Sequence, residues 1–182
     1  MPTFEPSAAP PDWSGSLLAA ARLLFGPDNV IFGSFAIFDG DTPDWLLNHT
    51  LEGTRYDLGP LLLSRTFTDA LPLLAERVDP CRIFGFEQLE PLTLAPSLAG
   101  ALAAGGASLK RLPHRRAHDL AFDFVNGLLG DDLGHATVLH SRTAWSDWFA
   151  CDVWDRTWVI ADPATDHIWV ISFTDGHRPR VR

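Results

Sequence analysis

The strongest constraint on the fold is a pair of β-strand patterns near the C-terminus, separated by a turn signal. Residues 158–161 (WVIA) and 167–173 (HIWVISF) are rich in β-branched and aromatic side chains, which favour strands. Between them lies the sequence DPATD, with Pro163 at the second position of a type I turn. These features predict a β-hairpin with a loop of four or five residues.

A loop at residues 163–166 fixes how the two strands of this hairpin pair. Trp158 then faces Ile171, Ile160 faces Trp169 and Val159 faces Val170. One face carries the large aromatic side chains, and the other carries Thr157, Val159, Ala161, Ile168 and Val170. Because neither face is polar, we expect the hairpin in the middle of a sheet that is covered on both sides.

The rest of the chain alternates helix and strand patterns at first and then clusters strands. Apolar periodicity and capping residues predict helices at about 17–25, 69–78, 96–104 and 118–129. Further strands are predicted at 30–38, 81–86, 136–140 and 148–153. The predicted fold class is therefore α+β, with a mixed or mainly antiparallel sheet, the hairpin (about 157–173) at its centre and about four helices packed on it.

A single domain is expected, because 182 residues are enough for one hydrophobic core. Residues 1–12 contain four prolines and are predicted to form an extended tail. The globular domain would then span 13–176, and 177–182 would be a basic C-terminal tail.

The charge of the chain is negative and unevenly distributed. The net charge is -9, and residues 1–100 carry 13 acidic and five basic side chains. This acidity disfavours nucleic-acid binding and favours a cationic protein partner. One cationic cluster, Lys110, Arg111, Arg115 and Arg116, would hold an anionic ligand or pair with the acidic half of a second copy in a homodimer. The simpler interpretation of that cluster is an exposed linker.

The sequence predicts a cytoplasmic protein without membrane segments. No apolar run approaches ~18 residues, and the N-terminus lacks the pattern of a secretion signal. Cys81 and Cys151 each lie in an apolar run, which predicts buried, reduced thiols. The abundance of arginine over lysine suggests a GC-rich, bacterial genome.

The sequence predicts no catalytic residue, no metal site and no cofactor, since none of the common nucleophile, phosphate-loop or zinc motifs is present. Histidines leave one alternative open, a small metal-dependent hydrolase. His114 and His118 are four residues apart, which places two imidazoles on one helix face. The other combinations considered for a base and its orienting acid are His118 with Asp119 and Asp123, and His140 with Asp152; His135 is a further candidate.

Tryptophan content supports a binding role. The chain has seven tryptophans, and tryptophan is enriched in binding hot spots. Asp39, Asp41, Asp44 and Trp45 form an acidic loop with an aromatic residue, which predicts a contact surface for a cationic partner. In size, acidity and absence of catalytic motifs the chain resembles the immunity proteins with which bacteria neutralise toxins. A third hypothesis is a pocket for a small apolar or aromatic ligand, between the helices and the tryptophan face.

Overall fold

A computed structural model of the chain describes residues 2–7, 14–38, 46–50, 53–106, 110–130, 133–150 and 153–175. The strands are β1 (Thr3–Pro6), β2 (Val30–Phe38), β3 (Leu47–Thr50), β4 (Gly53–Tyr56), β5 (Glu87–Leu89), β6 (Thr137–Ser141), β7 (Arg156–Asp162) and β8 (His167–Phe173). The α-helices are α1 (Gly15–Phe25), α2 (Gly59–Leu62), α3 (Arg65–Ala70), α4 (Leu94–Ala104) and α5 (His114–Leu129).

Six strands form one antiparallel sheet in the order β1-β2-β8-β7-β6-β5. The β7–β8 hairpin occupies the two central positions, so the predicted α+β fold class is confirmed. Its register is also as predicted, with Trp158 opposite Ile171 and Ile160 opposite Trp169. Strands β3 and β4 form a separate two-stranded sheet.

Both faces of the large sheet are covered, as the apolar hairpin requires. On the first face, α1, α4 and α5 bury a core that includes Trp158 and Trp169, which are 0% and 6% exposed. On the second face, α2, α3 and the segment between β6 and β7 pack against Val159 and Val170. Burial of this kind stabilises by about 1.5–3 kcal/mol for each large apolar side chain.

The prediction of a helix at about 69–78 is wrong. Helix α3 begins earlier, because the Ser64 hydroxyl accepts a hydrogen bond from the backbone N–H of Phe67 at 3.0 Å. It ends at Ala70, because Pro72 lies too far along a helix that starts at Arg65 to be tolerated in its first turn. Residues 72–77 form turns instead.

The strand predicted at 81–86 is also wrong. Asp79 redirects the chain there, since its carboxylate accepts the backbone N–H of Cys81 at 2.9 Å, and Ile83–Gly85 forms a 3-10 turn. Strand β5 follows immediately, at Glu87–Leu89. Cys81 is exposed, so the prediction that it is buried is wrong; Cys151 lies outside the described residues.

The predicted third strand at 148–153 is not formed by its described residues, because 147 and 148 lie in a turn and 153 and 154 in another. The strands beside the hairpin are β6, which pairs with β7, and β2, which pairs with β8. At the other end of the chain, residues 3–6 of the predicted extended tail are β1, which pairs with β2. Residues 8–13 and 176–182 lie outside the described residues. None of the helices in the described ranges has the length and apolarity needed to cross a bilayer.

Candidate functional site

The four residues predicted to contact a cationic partner, Asp39, Asp41, Asp44 and Trp45, lie outside the described residues. The residue before them, Phe38, ends β2 and is 46% exposed. Exposed large apolar side chains of this kind are typical of contact surfaces when they are grouped.

The predicted histidine combinations are brought together only in part. His114 and His118 lie on α5 and are both exposed. His118 Nδ1 lies 3.8 Å from Asp119 Oδ1, and both side chains are more than half exposed. His135 lies in a 3-10 turn before β6, and Asp152 is outside the described residues. Within the described ranges no three His, Cys, Asp or Glu residues converge as a metal site would require.

The tryptophans divide between the core and a partly exposed set. Trp158 and Trp169 are buried as predicted, and Trp145 is also fully buried. Trp148 and Trp154 are half-buried. Trp13 lies outside the described residues.

Two adjacent strands bring together three basic residues, His140, Arg142 and Arg156, that were not predicted to meet. On β6 and β7, His140 lies opposite Trp158 and Ser141 lies opposite Thr157. Continuing this register by one pair places Arg142, just after β6, opposite Arg156, the first residue of β7. Side chains alternate between the faces of a strand, so His140, Arg142 and Arg156 are all on the face covered by α4.

These side chains line a cavity of about 280 Å³ between the sheet and α4, here named the inner cavity. Its sheet side includes His140, Arg142 and Arg156, and its helix side is formed mainly by small residues of α4. The full lining is Phe25, Pro96, Ser97, Gly100, Ala101, Ala104, Gly105, His140, Arg142, Trp154 and Arg156. No carboxylate lines the inner cavity in the described part of the chain.

The two arginines repel each other across the strands. Arg156 Nη1 donates to the backbone carbonyls of Val153 at 2.7 Å and Asp155 at 2.8 Å. Burial lowers the pKa of Arg156, and the charge of Arg142 lowers it further, while Asp155 raises it. Arg142 has no hydrogen bond or ion pair with any residue in the described ranges. Like charges directly opposite on neighbouring strands are destabilising, so this pair is an unfavourable arrangement that an anion would relieve.

His140 is held neutral in this setting. Burial, followed by the charges of Arg142 and Arg156, lowers its pKa from 6.5 to about 4. Its ring stacks on Trp158 with the centroids 5.2 Å apart, and its buried Nε2 has no hydrogen-bond partner in the described protein. A buried unsatisfied nitrogen costs about 1–3 kcal/mol, so a ligand that bonds to it would recover that energy.

Carboxylates near the inner cavity are directed elsewhere. Asp155 is 1% exposed, and its Oδ1 accepts a hydrogen bond from the Thr174 hydroxyl at 2.7 Å. Glu87 is opposite His140 on β5 but is exposed and does not line the cavity. Ser97 Oγ accepts a hydrogen bond from Trp158 Nε1 at 3.0 Å, which leaves its own proton available to an acceptor.

A larger depression of about 740 Å³, here named the outer groove, lies on the other side of α4. It shares Pro96, Gly100, Ala104 and Trp154 with the inner cavity. Its remaining lining residues are Ala99, Ala103, Arg111, Leu112, His114 and His118. Arg111 belongs to the cationic cluster noted in the sequence, so part of that cluster borders the candidate site.

The sequence contained one signal for this site. His140 and Arg142 alternate on one strand, and Arg156 and Trp158 alternate on the next, which places all four on one face. Recognising it requires the pairing of β6 with β7, which the segment 142–155 separates in sequence.

Outside this geometry, nothing else identifies the site. Three features define the candidate site: the basic side chains on one face of β6 and β7, the small residues of α4 and the half-buried Trp154. The chain matches no protein-family model, no curated protein and no solved structure.

Proposed function

We propose that this protein is a non-enzymatic binding domain whose ligand presents an anionic group, a carboxylate or a phosphate, to the inner cavity. The observation that supports this most directly is the convergence of Arg142, Arg156 and His140 on a cavity without a lining carboxylate. An oxyanion there would accept hydrogen bonds from both guanidinium groups, which match carboxylates and phosphates with two parallel bonds. It would also satisfy His140 Nε2.

The cost of keeping these groups together supports a binding role. Two opposed arginines and an unsatisfied imidazole all reduce the stability of the empty protein. Strongly perturbed ionisable groups that meet in a cavity are typical of functional sites. The volume of about 280 Å³ suits a small anionic group rather than a whole protein surface.

A binding role is favoured over a hydrolytic one by the state of His140. A general base works best with a pKa close to the ambient pH, whereas the pKa of His140 is about 4. No hydrogen bond joins His140 to Ser97, the hydroxyl that lines the same cavity, so Ser97 lacks the adjacent base that activates a nucleophile. The alternative of a metal-dependent hydrolase therefore ranks lower.

Thermal unfolding in inorganic phosphate tests this proposal. A ligand that binds only the folded protein raises the free energy of unfolding with the logarithm of its concentration, by about 2.7 kcal/mol at 100 Kd, and the melting temperature rises accordingly. We expect phosphate to stabilise the wild-type protein and not the Arg142→Gln variant. Arg116→Gln, which removes an exposed arginine of α5 outside both depressions, serves as the matched control. Equal stabilisation of wild type and Arg142→Gln would refute the proposal.

A second candidate function is the contact with a cationic protein partner through Asp39, Asp41, Asp44 and Trp45, as in an immunity protein. It is supported by exposed apolar side chains near Phe38, the residue that precedes the acidic segment in the sequence. Phe38 is 46% exposed and pairs with Thr3, which lines a depression of about 580 Å³ together with Leu63 and Phe84, each 52% exposed.

Affinity capture from the native organism, with the wild-type protein and with a variant carrying lysine at the three aspartates, tests this second function. We expect a basic protein to be captured by the wild type and lost with the variant, because opposite charges accelerate association and like charges suppress it. The same partners captured by both proteins would exclude the acidic loop as the contact surface.

A further inference from the structure

The inner cavity and the outer groove lie side by side and share a border. Pro96, Gly100 and Ala104 are spaced four residues apart and therefore form one row along α4. Both depressions include this row and Trp154 in their lining. The border between them is thus the exposed surface of the helix itself.

No side chain projects from the centre of this border, where Gly100 lies. Gly100 has no side chain, it is exposed, and a methyl group placed on it would meet no atom within 4 Å. Glycine in a helix interior reduces stability by about 1 kcal/mol relative to alanine. The absence of a side chain at Gly100 leaves open space along the border that the two depressions share, here named the passage, and Trp154 lines both depressions as well.

Basic side chains line both ends of this passage. Arg142 and Arg156 line the inner cavity, and Arg111, His114 and His118 line the outer groove. Arg111 and His114 have no hydrogen bond or ion pair within the described ranges, whereas His118 has Asp119 at 3.8 Å. Between the ends, the lining is apolar, with Ala99, Ala103 and Leu112 on the outer side.

We propose that the ligand is an elongated organic dianion that lies across α4, with one anionic group in the inner cavity, an apolar body over Gly100 beside Trp154, and a second anionic group at Arg111 in the outer groove. This inference rests on the proposed function, because the first anionic group occupies the site assigned there. The two groups are separated by about the width of a helix, ~10 Å. The apolar body contacts the small residues of the row and the face of the indole.

Calorimetric titration of the full chain with four probes tests the inference. Inorganic phosphate carries one anionic group and no apolar body, and the part of its binding that depends on Arg142 reports on the inner cavity. Nonanoate carries one anionic group and an apolar chain, nonanedioate carries two groups at about the required separation, and butanedioate carries two groups that are too close together. We expect nonanedioate to bind at least tenfold more tightly than nonanoate or butanedioate, because a linked second group binds without a further loss of translational freedom.

Substitutions at the border and in the outer groove separate this inference from the proposed function. Gly100→Leu should close the passage and weaken nonanedioate binding at least tenfold, with phosphate binding unchanged. Gly100→Ala should have a smaller effect, and Gly15→Leu, at a position that is equally open but on α1, should have none. Arg111→Gln should reduce the affinity for nonanedioate to that for nonanoate.

Each outcome is decisive. Phosphate binding that depends on Arg142, together with equal affinities for nonanedioate and nonanoate, would overturn the dianion and leave the anion-binding function standing. The same holds if neither Gly100→Leu nor Arg111→Gln affects nonanedioate. Absence of phosphate binding to the wild-type protein would overturn both proposals. If Gly100→Leu failed to fold, Arg111→Gln and the probe series would still decide the matter.

Discussion

Replacing Arg142 with glutamine should make the protein more stable while removing its affinity for anions. Arg142 has no hydrogen bond or ion pair in the described protein, and it lies opposite Arg156 in the register of β6 and β7. Directly opposed like charges reduce stability by about 0.2–1 kcal/mol. We expect Arg142→Gln to raise the free energy of unfolding by about 0.5–1 kcal/mol.

The partner arginine should behave in the opposite way. Arg156→Gln removes two hydrogen bonds to the carbonyls of Val153 and Asp155 and a cation beside the buried Asp155. Hydrogen bonds from a charged donor contribute about 1.5–3 kcal/mol, so we expect a loss of about 2–3 kcal/mol. Both variants should lose phosphate binding. Opposite signs of the stability change at two arginines in one cavity are the expected signature.

Urea denaturation at pH 7 and low salt measures these changes as shifts in midpoint at constant slope. Arg116→Gln is the control and should change stability by less than about 0.5 kcal/mol. In 1 M NaCl, where the Debye length is about 3 Å, the gain from Arg142→Gln should diminish. A loss of more than about 1 kcal/mol in Arg142→Gln would show that favourable contacts hold this side chain, and the account of an opposed pair would fail.

Three further outcomes follow from other contacts. The pKa of His140 is about 4 in the folded protein and 6.5 ordinarily, so the unfolded chain takes up the proton first as pH falls. The free energy of unfolding should therefore decrease by about 2 kcal/mol between pH 6.5 and 4, after allowance for solvent screening. This decrease should be absent in His140→Gln. Trp145→Phe removes the donor to Thr157 Oγ1 at 2.9 Å in the core, and chemical denaturation should show a loss of about 2 kcal/mol; a change below 0.5 kcal/mol would contradict this. Gly105 has φ +66°, and a methyl group there would collide with the carbonyl of Lys110. The melting temperature of Gly105→Ala should therefore fall by an amount equivalent to at least 2 kcal/mol. The control variant Gly15→Ala should melt like the wild type.

The centre of the fold was predictable because its signals are local. The runs of β-branched and aromatic residues and the DPATD turn define the β7–β8 hairpin, including its register. The stripe of Leu120, Phe124 and Leu128 likewise defines α5, which is buried on that face. The errors arose where side-chain contacts compete with propensity. The Ser64 cap starts α3 early, and Asp79 redirects a segment whose composition favours a strand.

The candidate site was hidden for a different reason. Arg142 and Arg156 are 14 residues apart in sequence, and they meet only because β6 and β7 pair around an intervening segment anchored by Trp145. The residues on the helix side are small and carry no chemistry of their own, so Gly100 and Ala104 gave no signal. Sequence patterns place single elements well, but a cavity between two elements depends on their register and separation.

The order of strands in the sheet has a consequence for synthesis. Strand β2 lies between β1, which is made before it, and β8, so its second edge is paired only after residues 167–173 have been made. On the ribosome, this edge of the apolar β2 therefore has to wait for more than 130 residues of further translation, with its hydrogen-bonding groups open to other chains. Slow completion and dependence on chaperones are the expected result, and a nascent chain halted before β8 would be a target for aggregation or proteolysis.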